Sequence, residues 1–109
     1  MNKKGNTTSD KQYILSDKLF TWDESKNMAN RRKHGITFEE ATTVFDDPDA
    51  MYNFDTNHTD YDEERFLVMG MSEGRRVLMV CHCYRDNDTE TRIISARRAD
   101  KNEEAEYWR

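Results

Sequence analysis

The sequence has little of what secreted and membrane proteins require. Only two of its 109 residues, Cys81 and Cys83, are cysteines, so it has no disulfide framework. Its longest apolar run covers residues 77–81, whereas a membrane-spanning helix needs about 20 residues. The first 15 residues contain lysines but no apolar segment typical of a signal peptide. We therefore expect a soluble, cytoplasmic protein that does not bind a membrane.

The length fits a single domain. Charged residues make up 36% of the chain, compared with about 25% in an average protein, but aromatic residues reach 11% and can supply a small core. Residues 1–17 are mostly polar. We therefore predict a flexible arm over residues 1–17 and one folded domain over residues 18–109.

The charges are segregated along the chain. Residues 1–37 contain eight basic and four acidic side chains, and residues 38–64 contain ten acidic and no basic ones. Residues 65–101 are basic again, with eight basic and five acidic side chains. This partition favours one basic face directed at a polyanion, although distant segments can also mix on a solvated surface. If a basic face exists, we expect the acidic stretch to lie away from it.

The amino-terminal half predicts one strand and two helices. Lys18–Trp22 alternates loosely like a strand, and Asp23 behind it can cap a helix. That helix is predicted over residues 24–34, because the segment has no glycine, proline or β-branched residue and Gly35 follows it. A second helix, introduced by a capping box, is predicted over residues 38–45.

The second half predicts strands followed by a last helix. A short strand, a hairpin of two strands and a further strand are expected in that order. The segments are residues 50–54, 65–72, 76–85 and 91–97. Asp100 and Glu103 resemble a capping box that opens a final helix. The predicted fold is α+β: an antiparallel sheet of about four to five strands, with two amino-terminal helices and one carboxy-terminal helix.

The first predicted helix carries an unusual polar face. Lys26, Asn30, Lys33 and His34 recur at helical spacing, where a small domain usually places apolar residues. Lys26, Lys33 and His34 can meet phosphates or an acidic partner. Alternatively, the helix is merely solvated and His34 only interacts favourably with the helix dipole.

The longest predicted strand contains both cysteines and a histidine. Alternation places Cys81 and Cys83 on one face and His82 with Tyr84 on the other. A metal site needs about four ligands, and no second ligand pair exists, so we predict packed thiols and no metal. The ordinary pKa of histidine suits proton transfer, which makes His82 a candidate, although a strand histidine is more often structural.

Four arginines gather in the predicted sheet, at Arg65, Arg92, Arg97 and Arg98. Guanidinium groups bind phosphate bidentately, and several of them can stabilise the transition state of phosphodiester cleavage. Alternatively, arginines on edge strands only keep a sheet soluble. Strict alternation places Arg92 and Arg97 on opposite faces of the last strand.

Several blocks of the sequence, in this order, resemble the BrnT family of toxins from Phe20 to the end of the chain. The blocks are Phe20-Thr21-Trp22-Asp23-Glu24 with Lys26, Lys33-His34-Gly35-Ile36, Val44-Phe45-Asp46-Asp47-Pro48, and Arg92-Ile93-Ile94-Ser95-Ala96-Arg97-Arg98-Ala99. The resemblance does not extend to residues 1–17, whose role it leaves unexplained.

The resemblance implies a RelE-like fold and a bacterial ribonuclease that blocks translation without a metal or other cofactor. It also implies a ribbon-helix-helix antitoxin, similar to BrnA, that neutralises the toxin and represses the shared operon, so that DNA is contacted only through the antitoxin. The implied catalytic candidates are Arg65, Arg92, Arg97, Arg98 and His82. The candidate RNA-binding residues are Lys26, Lys33 and His34.

A second hypothesis comes from another functional class. The chain can instead be a non-catalytic module that binds nucleic acid or a partner peptide and acts as a transcriptional co-repressor. An enzyme should lose cleavage but keep RNA affinity when one central arginine is replaced, whereas a binding module has no cleavage to lose.

Overall fold

The computed structural model describes residues 9–55 and 63–109, which form one sheet and three α-helices. The strands are β1 (Asp10–Leu15), β2 (Lys18–Asp23), β3 (Met51–Phe54), β4 (Phe66–Met71), β5 (Val77–Arg85) and β6 (Glu90–Arg98). The helices are α1 (Glu24–His34), α2 (Phe38–Thr42) and α3 (Lys101–Trp108), and a 3₁₀ helix, Thr43–Asp46, continues α2. None of the helices in the described ranges is long and apolar enough to cross a bilayer.

The strand order in the sheet is β1-β2-β6-β5-β4-β3. Neighbouring strands run antiparallel except β2 and β6, which are parallel. The predicted α+β class and the order of the helices along the chain are confirmed, but the helix predicted over residues 38–45 is α-helical only to Thr42 and continues as the 3₁₀ helix. The sheet has six strands rather than the predicted four to five, because β1 adds one at the edge.

The main correction concerns the amino terminus. β1 pairs antiparallel with β2 along its whole length, so the predicted flexible arm over residues 1–17 is wrong from residue 10 onward, and the folded domain begins before residue 18. Tyr13 and Leu15 pack against the core, and this apolar contact holds a strand within a mostly polar segment. Residues 1–8 of the predicted arm lie outside the described residues.

The predicted ends of α1 and α3 are confirmed. Asp23 accepts a hydrogen bond from the backbone N–H of Ser25 at the start of α1, and Gly35 ends that helix with φ at 73°. Asp100 and Glu103 form a complete capping box at the start of α3. These ends follow from local chemistry, since each cap satisfies backbone groups that the helix leaves unpaired.

The predicted capping box of α2 is only half formed. The Thr37 hydroxyl accepts from the Glu40 N–H at 3.1 Å, as expected. The Glu40 carboxylate instead accepts from Arg76 at 2.6 and 2.8 Å and from Ser72 at 2.6 Å. This side chain therefore ties α2 to the turn between β4 and β5.

An asparagine attaches α1 to the sheet. β2 pairs with β6 only as far as Thr21 and Arg92, and α1 lies beside the remainder of β6. There the carboxamide of Asn30 donates to the Ala96 carbonyl at 2.8 Å and accepts from the Ala96 N–H at 3.1 Å. Asn30 also donates to the Ile36 carbonyl at 2.9 Å. One side chain thus supplies the hydrogen bonds that a neighbouring strand would otherwise provide.

A β-bulge decides which face the arginines of β6 occupy. His82 pairs with Ile93 while the residue before it pairs with Ser95, so β6 contains one extra residue between these pairs. Arg92 and Arg97 consequently lie on the same face, opposite to the face that packs on α1 and α2. The predicted separation of these two arginines onto different faces is therefore wrong.

The core lies between the sheet and the first two helices. Its fully or nearly fully buried members are Phe20, Trp22, Ile36, Phe38, Ala41, Val44, Phe45, Val68, Leu78, Val80, Ile93 and Ala96. The predicted apolar stripe of the second helix, Phe38 with Ala41 and Val44, is part of it. Because the helix-covered face of the sheet is filled with apolar side chains, we expect a polar functional site on the other face or at the edges of the sheet.

Candidate active site

A cleft of about 120 Å³ opens where β2 ends and α1 begins. It is lined by four cationic side chains, two carboxylates and two isoleucines. These are Lys26, Arg65, Arg85, Arg92, Asp23, Glu63, Ile93 and Ile94. The structure therefore brings together three predicted candidates, Lys26, Arg65 and Arg92, from three separate segments of the chain.

Arg92 projects from β6 toward this cleft, and its side chain is only 15% exposed. Its Nη2 donates to the Asp10 carboxylate at 2.9 Å. The Asp10 side chain is 59% exposed. The arginine is thus held in place by the protein, whereas its anionic partner reaches in from solvent.

Arg85, which was not among the predicted candidates, contributes the fourth cation. Its Nε and Nη2 donate to the two oxygens of Glu63 at 2.7 and 2.9 Å. These hydrogen bonds lower the pKa of Glu63, which is ionised at neutral pH. The available signal for Arg85 was alternation, because it follows Cys81 and Cys83 on one face of β5.

The position of Glu63 corrects one expectation. The acidic stretch of the chain was predicted to lie away from the basic face, but Glu63 lies in the cleft among the cations. It is held there by its bidentate pairing with Arg85. The distribution of charges along the sequence did not predict this position. Glu63 meets Arg85, 22 residues away, only in the folded protein, where the opposite charges attract.

Asp23 organises the floor of the cleft. Its carboxylate accepts from the Ser25 hydroxyl at 2.6 Å, the Ser25 N–H at 2.9 Å and the Ser9 hydroxyl at 2.6 Å. These hydrogen bonds lower the pKa of Asp23 to about 2, and the bond from the Ser25 hydroxyl has the largest effect. Asp23 is therefore an anion at neutral pH and a weak base. Lys26, less than one helical turn further on, is exposed and forms no ion pair within the described residues.

His82 is separated from the other candidates. It lies on the face packed against the helices, where its side chain is fully buried and its ring is 4.9 Å from that of Phe45. Its two ring nitrogens lie 3.3 Å from the Val80 carbonyl and 3.1 Å from the Tyr84 hydroxyl. Burial lowers the pKa of His82 to about 4. This environment fits a neutral, structural histidine and does not place it at the cleft.

Arg97 and Arg98 lie at the opposite end of β6. Both η nitrogens of Arg97 donate to Glu103 of α3, at 2.8 and 2.9 Å. Arg98 faces the other side of the sheet, is exposed and interacts electrostatically with Glu40. The four predicted arginines are thus divided: two lie in the cleft, and two lie near other carboxylates.

The predicted polar face of α1 is also divided. Lys33 and His34 lie exposed in the last turn of the helix, away from the residues that line the cleft. Asn30, between them and Lys26, is buried against β6. Of the basic residues predicted on this face, only Lys26 reaches the cleft.

The profile of one protein family, described as "Ribonuclease toxin, BrnT, of type II toxin-antitoxin system", matches residues 22–103. The chain belongs to the BrnT family. The crystal structure of the Brucella abortus ribonuclease toxin BrnT is similar to it, with a TM-score of 0.55 and 24% sequence identity. This similarity covers 73% of the present chain and 94% of the Brucella chain, and it supports the fold. No curated protein matches the chain in sequence.

The BrnT profile includes all four cations of the cleft but not β1, whose Asp10 contacts one of them, Arg92. Lys26, Arg65, Arg85 and Arg92 fall within residues 22–103. β1 precedes this range completely. The cleft therefore combines side chains from the family region with a carboxylate, that of Asp10, from outside it.

The two thiols of this BrnT chain are packed, as predicted. Cys81 and Cys83 are free and buried, and burial raises the pKa of Cys81 to about 12. A thiol with such a pKa is a poor nucleophile and a poor metal ligand. In the described part of the chain, no three side chains of the His, Cys, Asp and Glu types converge to hold a metal ion.

Proposed function

We propose that this chain is the toxin of a type II toxin–antitoxin system in the bacterial cytoplasm, and that it cleaves RNA without a metal ion and so blocks translation. Membership of the BrnT family makes it a ribonuclease toxin. The single observation that supports the site is the convergence of Lys26, Arg65, Arg85 and Arg92 in one cleft. Such a cluster suits a phosphodiester, which is an anion that gains charge as it reacts.

In this mechanism, the ribose 2′-oxygen attacks the adjacent phosphorus. The new O2′–P bond forms while the P–O5′ bond breaks, which leaves a 2′,3′-cyclic phosphate and a 5′-hydroxyl. Arg65 and Arg92 bind the non-bridging oxygens and stabilise the additional negative charge of the transition state. Lys26 donates a proton to the leaving O5′, and water accepts the proton of the 2′-hydroxyl.

The described side chains of the cleft include no strong general base. Asp23 and Glu63 are both hydrogen-bonded, and the pKa of each is lowered. His82 is buried on the other face of the sheet. Electrostatic stabilisation must therefore supply most of the rate acceleration, and removal of one such group typically lowers kcat by about 10²–10³.

The test is cleavage of a single-stranded RNA oligonucleotide by the purified protein in EDTA. We expect cleavage to persist, and the products to end in 2′,3′-cyclic phosphate and 5′-hydroxyl groups. Cleavage that stops in EDTA and returns with magnesium would show that the metal-free mechanism is wrong. RNA binding without any cleavage, together with repression by the toxin–antitoxin pair, would favour the co-repressor hypothesis.

We further propose that a ribbon-helix-helix antitoxin neutralises the protein by placing carboxylates over the cleft. Charge complementarity of this kind speeds encounter and fixes register. RNA and antitoxin should then compete for one surface, and RNA binding should weaken steeply with salt because phosphate contacts release counterions. Simultaneous binding of both, with no mutual loss of affinity at low salt, would exclude a shared surface.

A further inference from the structure

β1 begins at the proposed active site, although it lies outside the part of the chain that the BrnT profile matches. Its first residue, Asp10, pairs in register with Asp23, the last residue of β2. The strand therefore begins beside the cleft, and its far end turns back through Ser16 and Asp17 into β2.

The start of β1 is fixed by two contacts with the beginning of α1. The Glu24 N–H donates to the Ser9 carbonyl at 2.7 Å. The Ser9 hydroxyl donates to Asp23 at 2.6 Å. These bonds hold the backbone next to Asp10, so the direction in which its side chain leaves the strand follows from the fold.

From this position the Asp10 carboxylate reaches a catalytic candidate. Its Oδ1 accepts from Arg92 Nη2 at 2.9 Å, across 82 residues of sequence. A non-bridging phosphate oxygen is also an anionic acceptor of guanidinium N–H groups. A phosphate that takes the Nη2 N–H bound to Asp10 must therefore displace the carboxylate, and the two anions also repel each other at this site.

The two partners differ in how easily they can move. Arg92 is 15% exposed, whereas Asp10 is 59% exposed. Ion pairs with an exposed partner are weak and screened by salt. A phosphate that also binds Arg65 or Lys26 can thus displace the carboxylate without moving the arginine.

We propose that Asp10 is an intramolecular competitor of RNA: its carboxylate occupies Arg92 in the free protein and must leave before a phosphate binds. This inference rests on the proposed function, because it assigns the cleft to RNA. β1 then acts as an attenuator that lies outside the residues matched by the BrnT profile. It lowers the affinity for RNA, and with it the cleavage rate at low RNA concentration, and leaves the cleavage step itself unchanged.

The test compares Asp10→Asn with wild type. The probe is a 12-residue 2′-O-methyl RNA of mixed sequence, which lacks the nucleophile and so reports binding alone by fluorescence anisotropy. We expect Asp10→Asn to tighten binding about three- to tenfold at low salt, and less at high salt. With a cleavable RNA, KM should fall by a similar factor while kcat stays within about twofold.

Two further variants make the test specific. Asp17→Asn removes the same charge at the other end of the hairpin, where φ is 64° and asparagine is well tolerated, so it should bind RNA like wild type. In an Arg92→Gln background, Asp10→Asn should lose its effect, because its target is gone. An equal gain of RNA affinity in both aspartate variants, or a gain that persists without Arg92, would indicate a general effect of net charge rather than competition at Arg92.

The remaining outcomes separate this inference from the proposed function. Unchanged binding and cleavage in Asp10→Asn, with Arg92→Gln inactive, overturns the competition but leaves the ribonuclease site in place. A fall in kcat at unchanged affinity also overturns it, since Asp10 would then take part in catalysis. Tighter binding without cleavage by any variant supports the competition and contradicts the ribonuclease mechanism. No RNA binding by wild type or Asp10→Asn contradicts both.

Discussion

The two ends of β6 carry the same type of side chain in different surroundings. Arg92 and Arg97 lie on one face of the strand, and an extended chain of that length separates their Cα atoms by roughly 15 Å. Arg97 is bound through two nitrogens to Glu103, only six residues away. Arg92 is bound through one nitrogen to Asp10, and it shares a cleft with other cations.

This difference shows that an arginine's neighbours decide its role. Glu103 accepts hydrogen bonds from both η nitrogens of Arg97. It cannot leave without loosening the capping box of α3. Asp10 satisfies a single nitrogen of Arg92 and is exposed. The first pair fits a structural connection, and the second fits a group that exchanges one anion for another.

The largest expected effect comes from breaking the Arg92 end. Arg92→Ala should lower RNA cleavage about 100-fold or more, because one cation that stabilises the transition state is lost. Its Tm should change little, since its ion pair has an exposed partner. Initial rates on an RNA oligonucleotide and a melting curve would measure both.

Arg97→Ala is the matched control, with the same substitution on the same face of the same strand. We expect it to retain cleavage within a few-fold of wild type. Equal losses of activity in the two variants would contradict the division of roles between the ends of β6 and would return Arg97 to the catalytic set.

The connection between α1 and β6 should be the next most sensitive feature. Asn30→Ala leaves the buried N–H and C=O of Ala96 and the carbonyl of Ile36 without this partner, so we expect the free energy of unfolding to fall by about 3 kcal/mol. Urea unfolding would measure it. Asn102→Ala, at an exposed position of α3, should change stability by less than about 0.5 kcal/mol and serves as the control. A similar, small effect in both variants would argue against the role given to Asn30.

The burial of His82 predicts that the protein loses stability in mild acid. Its pKa is about 4 in the folded protein and 6.5 in the unfolded chain, so the unfolded state binds the proton more readily. Its contribution is complete above about pH 6.5 and is lost as the pH falls toward 4. Between pH 7 and 5 we expect a decrease of about 2 kcal/mol in the free energy of unfolding.

Urea unfolding at both pH values measures this decrease. His82→Gln should flatten the pH dependence, whereas His34→Gln, at an exposed position, should retain it. An unchanged pH profile in His82→Gln would assign the acid sensitivity to other groups and weaken the structural role of this histidine.

The smallest effect should come from the Arg97 pair. Its side chains are 43% and 26% exposed, so we expect a coupling of about 0.5–1 kcal/mol in a double-mutant cycle. Glu103→Gln is the preferred partner variant, because glutamine can still accept from the Asp100 N–H and keep the capping box. A coupling near zero would mean that the Arg97–Glu103 pair does not contribute to stability and that other contacts hold α3 in place.

Much of the local structure could be predicted because its causes lie within a few residues. The α1 boundaries follow from Asp23 and Gly35, and the β4–β5 hairpin follows from two apolar segments around a short turn. β1 was missed because only Tyr13 and Leu15 reveal its apolar side, and both need β2 and the core to be buried. The bulge in β6 has no comparable local signal.

The site was predictable in composition but not in arrangement. Lys26, Arg65 and Arg92 were proposed as phosphate-binding groups from their chemistry alone, and they lie in one cleft. Arg85 was missed, and His82 was given a role that its burial does not favour. The reason is that a motif shows which groups are present, while burial and facing charges decide which of them can act.

The sequence by itself therefore determined the caps of α1 and α3, the alternation of the strands outside the β6 bulge and the supply of permanently charged guanidinium groups. Only the tertiary structure decided which cations share a cleft, which histidine is buried and which carboxylate reaches Arg92. Caps and alternation act over a few bonds, so they can be recognised in the chain. The reactivity of a charged group depends on distance and solvent exposure, and these are set by contacts such as that between Asp10 and Arg92, 82 residues apart.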